Sequence, residues 1–277
     1  MSKKVNIGLI QMSPSLGEVK ENVLKAKKFI REAAEKEANI VCLPETFATG
    51  YNLDVLGEKA IELGIEYYDF IVEKISNEAR EHGLYIIAPF GEKRELNGVI
   101  YNSAILFDDE GKIVGSYAKS HLWDNEQLYY RQGSKLDVFE TKYGKIGLII
   151  CYDLSFPEVS RSLCLQGADM IFAPSAWAYE DNETMWEAMW DGNLYQRAQE
   201  NTLFTIGVNS VGKQENLNFF GLSKIYNPKG EQLEELPRNE EGIKVTTIDL
   251  EEVEKLRIEN PFLRDRRPEL YSQFTKE

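Results

Sequence analysis

Lys145-Ile-Gly-Leu-Ile-Ile-Cys151-Tyr-Asp-Leu-Ser-Phe-Pro157-Glu158 is the stretch on which the reading of this chain turns. Its first six residues form an almost continuous apolar run, the pattern of a strand buried on both faces, and it ends at Cys151. Pro157 then opens a helix running to about Leu165, because proline suits a first helical position. A second buried strand follows at Met170–Ala173. A strand, a helix and another strand in this order make a βαβ unit.

Outward from this unit the same alternation recurs. Val5–Met12 reads as a strand and is followed by an amphipathic helix carrying Val23, Ala26, Phe29, Ile30 and Ala33. Ile40–Leu43 is a short strand ending in Pro44-Glu45, and residues 58–82 carry a helical pattern. Tyr85–Pro89 and Val99–Phe107 are strands joined by a polar turn, and the second meets the hairpin turn Asp108-Asp109-Glu110-Gly111. Residues 183–200 read as a helix; Leu203–Val208, Leu222–Tyr226 and Lys244–Ile248 complete the strands. The expected class is α/β, one domain over 1–277 with 260–277 as a C-terminal tail. The acidic run Glu180-Asp181-Asn182-Glu183 is expected to cap the helix after it, and Glu251-Glu252-Val253-Glu254 to start another.

Composition narrows the partners. The 277 residues are 43% hydrophobic, enough for a large core, and carry a formal net charge of -14, which repels phosphate backbones and anionic lipid surfaces. No nucleic acid and no membrane is expected as partner. The opening residues turn polar too early for a signal peptide and no apolar run is long enough to span a bilayer, so the expected compartment is the cytoplasm. Three cysteines without paired spacing do not read as a disulfide framework. With two histidines and no CxxC, HExxH, P-loop or dinucleotide glycine motif, neither a metal nor a cofactor is expected.

Three polar groups stand at the ends of apolar strands, where α/β proteins build sites: Glu45, Lys119 and Cys151. A free thiol is only a few per cent ionised at neutral pH, so a nucleophilic cysteine needs a base or a positive field, and Glu45 and Lys119 offer one of each. Cysteine is more often a small buried hydrophobe, the reading adopted for Cys42 and Cys164. A glutamate after proline and a lysine in Tyr-Ala-Lys-Ser-His-Leu are more often solvated than catalytic. Spacing alone leaves those two open.

At these residues the chain resembles the nitrilase superfamily of carbon-nitrogen hydrolases. Leu43-Pro44-Glu45-Thr46-Phe47 is similar to its glutamate block, Tyr117-Ala118-Lys119-Ser120-His121-Leu122 to its lysine block, and Ile150–Glu158 to its cysteine block. The segments Pro174–Trp177, Arg197–Asn201 and Phe220–Ser223 support the match, which runs from about residue 5 to 255. The resemblance implies a four-layer α-β-β-α sandwich, commonly dimerised. It also implies a second glutamate after the lysine, here Glu126, that positions the substrate amide or shares proton transfer.

The implied reaction is covalent: Glu45 takes the thiol proton, Cys151 attacks an amide carbonyl, and Lys119 with the Tyr152 backbone N–H holds the oxyanion. True nitrilases usually have Trp-Glu after the cysteine, whereas this chain has Tyr152-Asp153, so a small carboxamide is the expected substrate, with an N-carbamoyl compound as the alternative and a nitrile behind it. Phe47, Tyr51, Trp123, Tyr129, Ser175 and Trp177 are the candidate substrate contacts, and Arg131 is a candidate partner for a distal carboxylate. A Cys–His thiol hydrolase or transferase using His121 is the rival enzyme, and a non-catalytic scaffold the rival of another class; His82 is expected at the surface. With no synthetase domain and no membrane helix, the family's glutamine-dependent NAD synthetases and lipoprotein acyltransferases are disfavoured.

Overall fold

The computed structural model describes residues 3–271; residues 1–2 and 272–277, part of the expected C-terminal tail, lie outside it. In chain order the first half runs β1 (Lys4–Gln11), α1 (Val19–Glu35), β2 (Ile40–Cys42), α2 (Leu53–Leu56), α3 (Lys59–His82), β3 (Tyr85–Lys93), β4 (Ile100–Phe107), β5 (Ile113–Ala118) and α4 (Glu126–Tyr129). The second half runs β6 (Val138–Thr141), β7 (Gly144–Leu148), a single 3-10 turn over Cys151–Ser155, α5 (Pro157–Leu165), β8 (Met170–Ser175), β9 (Ala178–Tyr179) and α6 (Glu183–Asn201). It continues with β10 (Phe204–Asn209), β11 (Val211–Gln214), β12 (Leu217–Phe220), β13 (Lys224–Tyr226), β14 (Gln232–Glu235), β15 (Gly242–Asp249), α7 (Glu251–Glu259) and α8 (Pro268–Tyr271).

Two six-stranded sheets result, ordered β15-β1-β2-β3-β4-β5 and β14-β13-β10-β8-β7-β6, with a small third sheet β11-β12-β9. The centres are parallel (β1-β2-β3 and β7-β8-β10) because helices return the chain over the sheet between those strands, while the outer strands pair antiparallel, with β15 joining β1 from the far end of the chain. Alternation along the strands sorts the first sheet's side chains. Val5, Ile7, Leu9, Ile40, Cys42 and Ile87 enter a core shared with Leu148, Phe172 and Ile206 of the second sheet. Ile10, Val41, Ile86, Ala88 and Phe107, on the opposite face, pack with Val23, Ala26 and Ile30 of α1 and Ile71 and Ile75 of α3. Helices α5 and α6 cover the second sheet through Leu163, Trp190, Leu194 and Ala198. The layers are therefore helix, sheet, sheet, helix, as the resemblance implies.

Several short strands escape the sequence pattern. β6 and β14 are edge strands of four residues with no buried position, and β11 and β12 form a hairpin around Glu215-Asn216. Periodicity over so few residues carries little signal. Two local expectations change. His82 is not at the surface but half-buried against Glu78, whose carboxylate also draws in Arg31 and Lys27 from α1. In the acidic run before α6 the side-chain cap is Asn182, which accepts from the Met185 N–H, with Glu183 in the first turn, while Glu180 and Asp181 line a cavity. The segment after Asn260 carries the short helix α8.

Candidate active site

The parallel strands of both sheets end on the same side of the sandwich, and their C-terminal ends carry the polar groups. Glu45 follows β2, Lys119 follows β5, Cys151 follows β7 and Ala176 follows β8. Glu45, Lys119 and Glu126 are each 0% exposed. Lys119 Nζ donates to Glu45 Oε1 at 2.8 Å and to Glu126 Oε1 at 2.7 Å, so one ammonium lies between two buried carboxylates. The Asn102 side chain on β4 also donates to Glu45 Oε1 (2.7 Å), and the Ala176 N–H to Glu45 Oε2 (2.8 Å). Glu126, at the start of α4, has its second oxygen occupied by the Trp123 N–H at 2.9 Å. Every carboxylate oxygen is thus held, which lets charges persist without water.

Cys151 sits where the strand breaks into the 3-10 turn, with φ +47°, and Thr46 beside Glu45 has φ +48°. A left-handed conformation costs a non-glycine residue about 1–3 kcal/mol and persists only where neighbours fix it. Asp153, fully buried, supplies that fixation. Its Oδ2 accepts from the Ile150 N–H (2.9 Å) and the Tyr117 hydroxyl (2.7 Å), and its Oδ1 from the His121 N–H (3.0 Å) and Nδ1 (2.8 Å). One carboxylate buckles the cysteine turn to the lysine segment. On the far side Arg197 Nε donates to the Leu154 carbonyl at 3.0 Å, and Asn209 clamps both the N–H and the carbonyl of Trp177. The backbone at Gly133 presses on the same segment: its N–H donates to the Lys119 carbonyl at 2.9 Å, and a Cβ there would lie 2.0 Å from the Ala118 oxygen.

Electrostatics follow from burial. The Cys151 thiol is pushed well up by desolvation and by Glu45 and Glu126, against the pull of Lys119, so the resting sulfur is protonated. Desolvation works against the Lys119 ammonium, but Glu126, Glu45 and Cys151 outweigh it and hold its pKa well above the usual lysine value. Glu126 is raised by burial and by Glu45 despite Lys119.

Cys151, 7% exposed, opens on a cavity of about 510 Å³. Of the six candidate substrate contacts, Tyr51, Trp123 and Trp177 line it. The other three do not line it. Phe47 is fully buried and meets Phe90 edge to face; Ser175 is fully buried with its hydroxyl on the Ala173 carbonyl; Tyr129 packs against the core beneath α1 and α3. Each lies within three residues of Glu45, Glu126 or Ala176 in sequence, yet packs away from the cavity. Arg131 is exposed and lines no part of the cavity. Sequence reasoning missed Asn102, Asp153 as a buckle, and the wall residues Trp186 and Met189; the last two were legible as an i, i+3 pair on α6.

A sequence model of the family described as carbon-nitrogen hydrolase matches residues 6–258. The chain belongs to the carbon-nitrogen hydrolase family. Among curated relatives, a probable nitrilase of Schizosaccharomyces pombe is 35% identical over 274 residues, covering 98% of both chains. A 2-oxoglutaramate amidase of Bacillus subtilis is also 35% identical, covering 97% of this chain and 100% of its own length. The crystal structure of a carbon-nitrogen hydrolase from Helicobacter pylori superposes with a TM-score of 0.94 at 30% identity, covering 100% of this chain and 99% of the other. This carbon-nitrogen hydrolase has no helix, among the described residues, long and apolar enough to cross a membrane.

For the family's chemistry, the position of His121 matters. Its ring, 34% exposed, stacks on Phe156 at 3.7 Å between centroids and is tied to Asp153. The charged groups acting on the Cys151 thiol are Glu45, Lys119 and Glu126. That arrangement gives the rival Cys–His pairing no support.

Proposed function

We propose that this chain hydrolyses a small carboxamide to a carboxylic acid and ammonia through a thioester on Cys151. The observation that carries the reading is the Lys119 ammonium fixed between Glu45 and Glu126 beside a protonated thiol that opens on the cavity. Because burial disfavours a free thiolate, the sulfur is best deprotonated as it attacks: its proton passes to Glu45 while the S–C bond forms. The carbonyl oxygen gains charge near the Lys119 ammonium and the Tyr152 N–H, which belongs to the first turn of the 3-10 segment and has no acceptor within it. One such donor is worth about 3 kcal/mol.

Collapse breaks the C–N bond, and Glu45 returns the proton to the departing nitrogen, releasing ammonia. Water then gives a proton to Glu45 and attacks the thioester; the acid leaves and the proton returns to sulfur. In this reading Glu126 works through Lys119, since its oxygens are occupied by Nζ and the Trp123 N–H. The amidase among the relatives supports an amide over a nitrile, although another relative is named a nitrilase.

The test is acid-quenched mass spectrometry with short aliphatic amides. A peptide containing Cys151 should gain the acyl mass, and Cys151→Ala should release no ammonia. Ammonia release by that variant, or an acyl group on another residue, would refute the route. Run beside them, an N-carbamoyl amino acid that releases ammonia and carbon dioxide while the aliphatic amides stay intact would move the substrate to the N-carbamoyl class.

A further inference from the structure

All four tryptophans of the chain gather at the cavity: Trp123, Trp177 and Trp186 line it, and Trp190 backs Trp177 at 5.7 Å between ring centroids. Trp123 meets Trp186 at 5.7 Å and Tyr152 at 4.8 Å, making a continuous aromatic wall beside the cysteine. Around its rim stand the carboxylates of Asp124, Glu180 and Asp181, and no lysine or arginine lines it. Among the described residues none of these three carboxylates has an ion-pair partner, and Glu180 accepts only from the Asn216 amide. The nearby acids of α6 differ, since Glu183 and Glu187 are both engaged by Arg238. The buried cluster behind Cys151 adds no compensating charge, because two carboxylates enclose one ammonium.

A volume of about 510 Å³ also exceeds what a two- or three-carbon amide would fill, which leaves room for a tail. A carboxylate on that tail would meet like charge with no cation to receive it, whereas a positive charge would find aromatic faces and unpaired acids together. Resting on the hydrolase reading above, we propose that the cavity selects amides whose far end bears an alkylammonium group.

The discriminating experiment compares three amides with the same four-methylene spacer: 5-aminopentanamide, hexanamide and adipic acid monoamide. The expected order of kcat/KM is ammonium, neutral, carboxylate, with the first and last differing by about a hundredfold at low salt and converging in 0.5 M NaCl as the rim charges are screened. The triple variant Asp124→Asn, Glu180→Gln, Asp181→Asn should shrink the ammonium-to-neutral ratio on the order of twentyfold, about threefold per carboxylate. Changing Glu21, Glu35 and Glu62 on the outer helices to glutamine should leave that ratio alone, which separates the rim from the protein's overall negative charge. Calorimetric Kd values for the three amides on Cys151→Ala read the preference without turnover. Ammonium-selective binding with no ammonia release from the unmodified enzyme would reject the hydrolysis reading alone. Equal treatment of the ammonium and carboxylate amides, or a ratio in the triple variant within twofold of the original, would overturn the charge preference.

Discussion

Replacing Asp153 with asparagine tests whether the buckle, and not the pocket, is what this residue contributes. The carboxylate receives four donors, two per oxygen: Ile150 N–H and Tyr117 O–H on Oδ2, His121 N–H and Nδ1 on Oδ1. Asparagine offers one oxygen and an NH₂ group. If its oxygen stays with His121, the Tyr117 hydroxyl can turn to accept but the Ile150 N–H faces another donor. If the amide flips, the His121 N–H is the one orphaned. Either way one backbone donor loses its acceptor, at about 1–3 kcal/mol, and the remaining bonds lose their charge assistance. The expected total is about 3 kcal/mol. Since Ile150 immediately precedes the cysteine at φ +47°, slack there displaces the sulfur, and a displacement of about 1 Å costs about 10²-fold in rate.

Urea unfolding gives the stability, ammonia release gives kcat, and Tyr117→Phe, which removes one donor while keeping the carboxylate, should cost only about 1 kcal/mol. The reasoning fails if Asp153→Asn stays within about 0.5 kcal/mol and twofold in kcat of the unmodified protein. It also fails if its main effect is a change in amide-versus-nitrile preference, because Asp153 is fully buried and lines no part of the cavity.

Two other outcomes follow from the buried charges. Lys119→Ala leaves Glu45 and Glu126 facing each other without a cation and should lose about 3–5 kcal/mol of stability together with more than 10³-fold in rate, whereas His121→Ala should keep the rate within about tenfold; the reverse ranking in an ammonia assay would restore the Cys–His alternative. Cys42, Cys151 and Cys164 are all raised, chiefly by burial. Above about pH 8.5 the unfolded chain therefore loses thiol protons that the folded chain keeps, and stability should fall as pH rises, by up to about 1.4 kcal/mol per pH unit for each raised thiol. Buried tyrosines such as Tyr51 and Tyr117, also raised, add to the slope toward pH 10. Unfolding free energies at pH 8, 9 and 10 read the slope, which Cys42→Ala should make shallower by up to about 1.4 kcal/mol per pH unit; an unchanged slope would refute the assignment.

The sequence alone determined the alternation of strands and helices, since buried parallel strands are continuous apolar runs and helices such as α1 repeat at helical spacing. It also set Glu45, Lys119 and Cys151 apart as polar residues at the ends of such runs, but spacing left the first two open, and the resemblance is what selected them. Resemblance added Glu126, which stands in no such position. What only the tertiary structure decided is convergence and direction. Asn102 and the Ala176 N–H reach Glu45 across 57 and 131 residues, and no local pattern encodes contacts at that separation. Phe47, Tyr129 and Ser175 lie close to site residues in sequence yet do not line the cavity, because which face a side chain takes depends on packing that a short local pattern does not encode. The carboxylate rim is the same kind of fact: Asp124, Glu180 and Asp181 look in the sequence like the solvated charges of an acidic protein, and become a feature of the cavity only when the loop after β9 folds beside the one after Lys119.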